Sequence, residues 1–306
     1  MNRGTPFLVL GIGVAIVSTA SILIRFAQAD GASSAVIAAG RLAIAALLIT
    51  PYALSRAGPE LLRIKRKELF LCAASGVLLA AHFWTWIASL EHTSVANSTA
   101  LVTTNPIWVA VLSAWLLRER PRRAQILGVG LTLLGTLLIF LANNTSSGVA
   151  TAPLLGNSLA LFGALAASGY LLIGRGLRSK LSLLAYVWLT YTFAAITLVI
   201  AAFAGGETLA GVSSSAWILI AALALGPQLL GHTSFNWALR RLSATVVAVS
   251  ILGEPIGSAL LAWWLLDEGF VPFQLAGFVV LLLGIFVAAR AELANQNGTR
   301  VQRESS

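Results

Sequence analysis

Four titratable side chains, Arg41, His82, His232 and Glu254, stand inside long apolar stretches of this chain. A charge in such surroundings is costly unless it is paired or put to use. Two uses compete. Arg41 and Glu254 could pair with each other and fix helix packing, or Arg41 could hold a carboxylate and Glu254 an ammonium group of a bound solute. Glu254 also directly precedes Pro255, a place where a helical hydrogen-bond ladder is interrupted. His82 and Glu254 could each carry a proton, although a lone His on a helical stripe is more often a hydrogen-bonded packing residue. Around these charges stand Trp86, Asn97, Thr104, Trp108, Trp188, Tyr191, Gln228 and Ser250. Aromatic faces and amides together suit a flat, mostly apolar solute bearing a few hydrogen-bonding groups. Pro106, Pro227 and Pro255 are the expected hinges, with Gly226-Pro227 kinking the chain just before Gln228. Turnover chemistry has nothing to stand on. HExxH, GxSxG, CxxC, Walker and dinucleotide glycine patterns are all missing, so the reading is no enzyme and no cofactor. One cysteine, Cys72, and three scattered histidines offer neither a disulfide nor a zinc-type cluster.

The elements that must position these residues are membrane spans. Of 306 residues, 58% are apolar and 10% charged, and the mean hydropathy is +0.87. A soluble surface needs roughly 25% charged side chains, so lipid is the solvent here. Apolar runs fall near 7–25, 34–54, 69–89, 95–117, 124–142, 154–174, 182–204, 214–236, 243–266 and 271–290. Each is long enough to cross a hydrocarbon core of roughly 30 Å as a helix. A cleavage-like Ala27-Gln28-Ala29 follows the first run, which is longer than a usual signal core and is expected to be retained. The net charge of +9 would raise nucleic acid as a partner in a soluble protein, but position decides otherwise. With the N-terminus inside, 18 of the 20 basic residues collect on the cytoplasmic side, a topology signal that puts both termini there. Trp115, Trp263 and Trp264 fit an interfacial belt, while Trp84, Trp86, Trp108 and Trp188 do not.

The chain also repeats itself. An ungapped shift of 149 residues aligns Leu90 to Gly135 with Leu239 to Gly284, and 15 of 46 positions are identical. Pro106 meets Pro255, Glu119 meets Glu268, Gln125 meets Gln274, and Gly128 and Gly135 meet Gly277 and Gly284. A weaker match at offset 150 pairs Gly13, Ser18 and Arg25 with Gly163, Ser168 and Arg175. Five spans per copy is an odd number, so the second copy inserts upside down relative to the first. Inverted halves that rock about a shared midplane site are the architecture of a secondary carrier. Ser243, Ser250, Glu254, Gly257 and Ser258 are expected on one stripe of span 9, and Ser75, His82, Trp86 and Ser89 on one stripe of span 3. Trp217 and Phe235 are expected to face them from span 8.

Two five-helix repeats, each reading Pro, an apolar dozen, Glu and a Gly-containing last helix, resemble the EamA family of the drug/metabolite transporter superfamily. The signatures are Pro106 to Glu119 with Gly128 and Gly135, and Glu254-Pro255 to Glu268 with Gly277 and Gly284. The resemblance covers residues 7 to 290 and is similar in kind to the aromatic amino acid exporters. It implies an all-α polytopic membrane protein of ten transmembrane helices in two inverted five-helix repeats. The first repeat is expected over 1–142, a connecting loop over 143–153, the second repeat over 154–290, and a cytoplasmic tail over 291–306. It further implies a multi-pass protein of the bacterial inner membrane exporting small metabolites, amino acids with aromatic or apolar side chains foremost. The expected partners are that small-molecule substrate and the lipid bilayer, with no nucleic acid, and the bundle is self-contained enough to work as a monomer. An uncoupled channel or facilitator, or a different drug-like solute, is the alternative reading.

Overall fold

The computed structural model describes residues 4–112, 123–143, 152–208, 211–267, 273, 275–287 and 290–291. Trp115, Glu119 and Glu268, the loop 144–151 and the tail 292–306 lie outside the described residues. Those described form helices and turns, with no strand among them. The chain runs through α1 (Thr5–Val17), α2 (Ala20–Ala29), α3 (Ser34–Leu61), α4 (Arg66–His92), α5 (Val95–Val102), α6 (Asn105–Leu112) and α7 (Arg123–Asn143). It continues through α8 (Pro153–Arg178), α9 (Leu183–Ala204), α10 (Ser214–Leu223), α11 (Thr233–Ala238), α12 (Ala244–Ile251) and α13 (Glu254–Leu266), and then α14 (Leu275–Val287). A π-helical stretch, Ala224–His232, joins α10 to α11. Among the described residues, seven uninterrupted or nearly uninterrupted helical rods are long and apolar enough to cross a membrane.

Serine caps mark where five of these helices begin. Ser33, Ser94, Ser182, Ser213 and Ser243 each sit in extended backbone and accept a hydrogen bond from the amide three residues on, at 3.1–3.3 Å. The apolar runs therefore understate the rods: α3 extends to Leu61, past the expected end at 54, and α4 and α8 also overrun at both ends. Large side chains such as Leu47, Phe162, Ile200 and Trp264 are more than half exposed, while the interior is built from small ones such as Ala38, Ala45, Ala160 and Ala164. A lipid-facing exterior and a small-residue interior are what close helix packing in a bilayer requires.

Three of the expected spans are broken. The first is interrupted between α1 and α2, the fourth at Thr103-Thr104, and the ninth at Leu252-Gly253. The last two breaks are repeat mates, each following an eight-residue helix and each preceding a residue followed by proline. Proline has no amide hydrogen, so Pro106 and Pro255 cannot continue the ladder from the previous turn, and each instead occupies the first turn of a new helix. Ser243, Ser250 and Glu254 thus do not share one straight stripe: Ser243 caps α12, Ser250 bonds the Val246 carbonyl at 2.8 Å, and Glu254 opens α13. The expected kink at Gly226-Pro227 takes the form of the π-helical stretch, whose wider turn accommodates the missing donor.

The two copies pack against each other in antiparallel sense. A Cβ added to Gly135 of α7 would lie 2.5 Å from the Leu281 amide nitrogen and 2.7 Å from the Gly277 carbonyl oxygen. A Cβ added to Gly284 of α14 would lie 2.5 Å from the Thr132 amide nitrogen and 2.8 Å from the Gly128 carbonyl oxygen. Each residue in one contact is the repeat mate of a residue in the other, and because 135 lies beside 277–281 while 128–132 lie beside 284, the numbering rises along one helix as it falls along the other, so the two run in opposite directions. The same exchange relates α5 against α13 to α6 against α12. It also relates two arginines. Arg25 donates to the Leu90 carbonyl at 2.9 Å, and Arg175 donates to the Leu239 carbonyl at 2.7 Å. Each fastens the first span of its repeat to the turn that leads into the fourth.

Candidate functional site

The breaks converge on a cavity between the two halves. Its walls come from both copies in matched pairs: Val17 with Ala167, Ala20 with Tyr170, Trp86 with Phe235, Val102 with Ile251, and Asn105 with Glu254. His82, His232, Thr103 and Leu171 complete it. A cavity lined by repeat mates lies on the axis that relates the repeats.

Glu254 is placed here by its helix start. It is 7% exposed, and no hydrogen bond from a described residue reaches its carboxylate. Its main-chain oxygen accepts from the Ser18 hydroxyl at 3.4 Å, and the Asn105 main-chain oxygen accepts from the Ser168 hydroxyl at 3.2 Å, a mirrored pair of contacts. The Asn105 side-chain oxygen is buried and has no partner. On the flat side of the cavity, the rings of His82 and Trp86 are nearly parallel at 9°, with centroids 6.1 Å apart. His82 Nδ1 pairs with the Gly163 carbonyl at 3.0 Å, which fixes the ring. His232 meets Phe83, Phe235 and His82 edge-on at 5.0, 5.5 and 6.3 Å, and its Nδ1 has no partner. The Trp86 indole N–H is likewise buried and unpartnered. Tyr170 donates to the Asn236 side-chain oxygen at 2.7 Å, and Asn236 donates to the His232 carbonyl at 3.1 Å, bracing that wall. Arg178 supports the brace from below by donating to the Asn236 and Leu181 carbonyls.

Arg41 stands behind this wall rather than on it. The side chain is wholly buried, donates to the Gln228 side-chain oxygen at 3.0 Å, and lies 4.0 Å above the centre of the Phe83 ring. Of the two readings, the ion pair with Glu254 is not formed, since the guanidinium's other nitrogens, Nε and Nη1, are without hydrogen-bond partners.

The cavity brings together four of the expected site residues, His82, Trp86, His232 and Glu254. Others serve the frame. Gln228 and Tyr191 form the layer behind it, Tyr191 donating to the Gln228 carbonyl at 3.2 Å. Trp188 donates to Thr50 at 2.9 Å and ties α9 to α3. Thr104 is spent on the Leu101 carbonyl at 2.7 Å, and Ser250 on its own helix. Asn97 is buried in the first turn of α5, and Trp108 is half-buried on α6, neither on the cavity wall. Pro106, Pro227 and Pro255 all sit at helix interruptions. Trp84 is 41% exposed and belongs to the outer face. Asn105, Thr103, Tyr170 and Phe235 line the cavity without having been singled out together. Asn105 carried a usable signal, because the shift of 149 makes it the mate of Glu254. Tyr170 carried none, its mate being Ala20.

Comparison with known proteins agrees with this arrangement. The model of the EamA-like transporter family matches residues 5–141 and again residues 154–290. The uncharacterized transporter YyaM of Bacillus subtilis (strain 168) is 20% identical over 67% of this chain and 67% of its own length. An uncharacterized transporter of Archaeoglobus fulgidus is 25% identical, covering 74% of this chain and 80% of that one. One solved crystal structure shares the fold with a TM-score of 0.72, over 96% of this chain and 99% of its own, at 20% identity. With both halves matched, a polytopic apolar bundle and a cavity between the repeats, this chain belongs to the EamA-like transporter family.

Proposed function

We propose that this transporter exports small zwitterionic metabolites, amino acids with aromatic or apolar side chains foremost, by alternating access across the bacterial inner membrane. In this reading ten helices cross the bilayer, with both termini on the cytoplasmic side, and the antiparallel halves rock about the shared cavity. The observation that carries it is Glu254: a carboxylate that no described residue hydrogen-bonds, lining a cavity together with the near-parallel rings of His82 and Trp86. An ammonium group would compensate that charge, and a flat apolar side chain would lie against His82 and Trp86.

The test is efflux from cells preloaded with labelled phenylalanine or tryptophan. Expressing cells should lose label faster than controls, and solute supplied on the far side should accelerate the loss, as a carrier does and a pore does not. Equal loss with and without the protein sinks the substrate assignment. Replacing Glu254 with Gln keeps the shape and removes the charge. Efflux should fall by an order of magnitude or more, whereas retained, pH-insensitive efflux removes Glu254 from both binding and coupling.

A further inference from the structure

Asn105 and Glu254 are the same position in the two repeats, 149 residues apart, and they line the same cavity from opposite copies. Each follows a two-residue break, each precedes a proline, and each has its main-chain oxygen held by a serine of the first helix of a repeat, Ser168 for Asn105 and Ser18 for Glu254. Their side chains are 3% and 7% exposed, and the Asn105 side-chain oxygen is buried without a partner. An unpaired acceptor in such surroundings is expensive, and a polar group is kept there when something it binds compensates the cost. The two mates differ in charge and by one methylene: one offers a carboxylate on the longer side chain, the other a neutral amide oxygen on the shorter.

Resting on the export reading above, we propose that Asn105 and Glu254 form a two-sided clamp for one organic ammonium group, and that Asn105 sets the preference for amines over amine-free analogues. An ammonium presents three donors. Glu254 supplies the compensating charge and takes one donor, while the Asn105 oxygen takes another from across the pseudo-twofold axis. Because the axis makes the two positions equivalent in backbone and support, the clamp depends on having one carboxylate and one amide, not on which copy carries which. A second carboxylate would leave an uncompensated negative charge, and a second amide would leave the ammonium unneutralised.

Exchange across the axis tests this. Binding of 2-phenylethylamine and of 3-phenylpropionate to the purified full chain in detergent is measured by titration calorimetry, and phenylalanine flux is measured in proteoliposomes. The wild type should bind the amine and discriminate strongly against the acid. Glu254→Asn should weaken amine binding about tenfold or more, and Asn105→Leu about tenfold, the worth of a hydrogen bond to a charged group. The double variant Asn105→Glu/Glu254→Asn should return to within about threefold of the wild type. Should the exchanged protein fail to fold, Asn105→Leu decides the matter. A monodisperse exchanged variant as weak as Glu254→Asn, or an Asn105→Leu variant that binds like wild type, overturns the clamp. Phenylalanine flux with equal binding of amine and acid also overturns it while leaving the export reading intact. Absence of any flux or amine binding in the wild type removes both.

Discussion

The antiparallel register of α7 and α14 rests on backbone touching backbone at two glycines, and adding one methyl group at either position tests it. In Gly135→Ala the new Cβ would stand 2.5 Å from the Leu281 nitrogen and 2.7 Å from the Gly277 oxygen. Neither neighbour is a side-chain tip that can swing away, so the helices must part. Moving from 2.5 Å to an ordinary contact of 3.4 Å needs about 0.9 Å of separation. Overpacking of that kind costs about 1–3 kcal/mol. Gly284→Ala makes the mirrored contact, 2.5 Å from the Thr132 nitrogen, and should cost a similar amount. Once one substitution has separated the pair, the second meets relaxed space, so the double variant should fall short of the sum by about 0.5 kcal/mol or more. Gly130 is the control. It lies on the same helix with nothing within 4 Å of an added Cβ. Gly130→Ala should therefore be neutral or stabilising by up to about 1 kcal/mol through helix propensity. Reversible unfolding in mixed micelles, followed by tryptophan fluorescence, reads all four. Gly135→Ala and Gly284→Ala as mild as Gly130→Ala, or strictly additive with each other, would refute the reciprocal contact and the inversion argued from it.

Two further outcomes follow from named contacts. Gln228→Leu strips Arg41 of its one hydrogen bond and leaves a buried guanidinium over Phe83; the loss should be about 3 kcal/mol, with part of it recovered by also making Arg41→Leu, and an unchanged unfolding free energy would refute the assignment. Arg25→Met and Arg175→Met should each raise amide hydrogen exchange in only one turn, 90–94 for the first and 239–243 for the second, because each arginine holds a different main-chain carbonyl. Equal loosening of both turns by either variant would argue against separate fastenings.

How much of this was legible beforehand depends on what kind of property each feature is. The apolar composition, the positions of the helical stretches and the internal repeat are properties of residues taken in order, so the sequence alone settled a helical membrane protein built twice over. The repeat also held Asn105 as the mate of Glu254. Which polar side chains meet is a different matter. Helical spacing assigns faces only while a helix is unbroken, and the interruptions at Thr103-Thr104 and Leu252-Gly253 reset the rotation of everything after them. That is why Ser250 turns back on its own helix while Glu254 opens into the cavity. Arg41 and Glu254 lie at comparable depths by residue count, yet depth along the membrane normal does not fix lateral position, and Gln228 and Phe83 hold the guanidinium away. The ends of the chain's order set the spans; the packing of one repeat against its inverted partner decided which of their residues share a chamber.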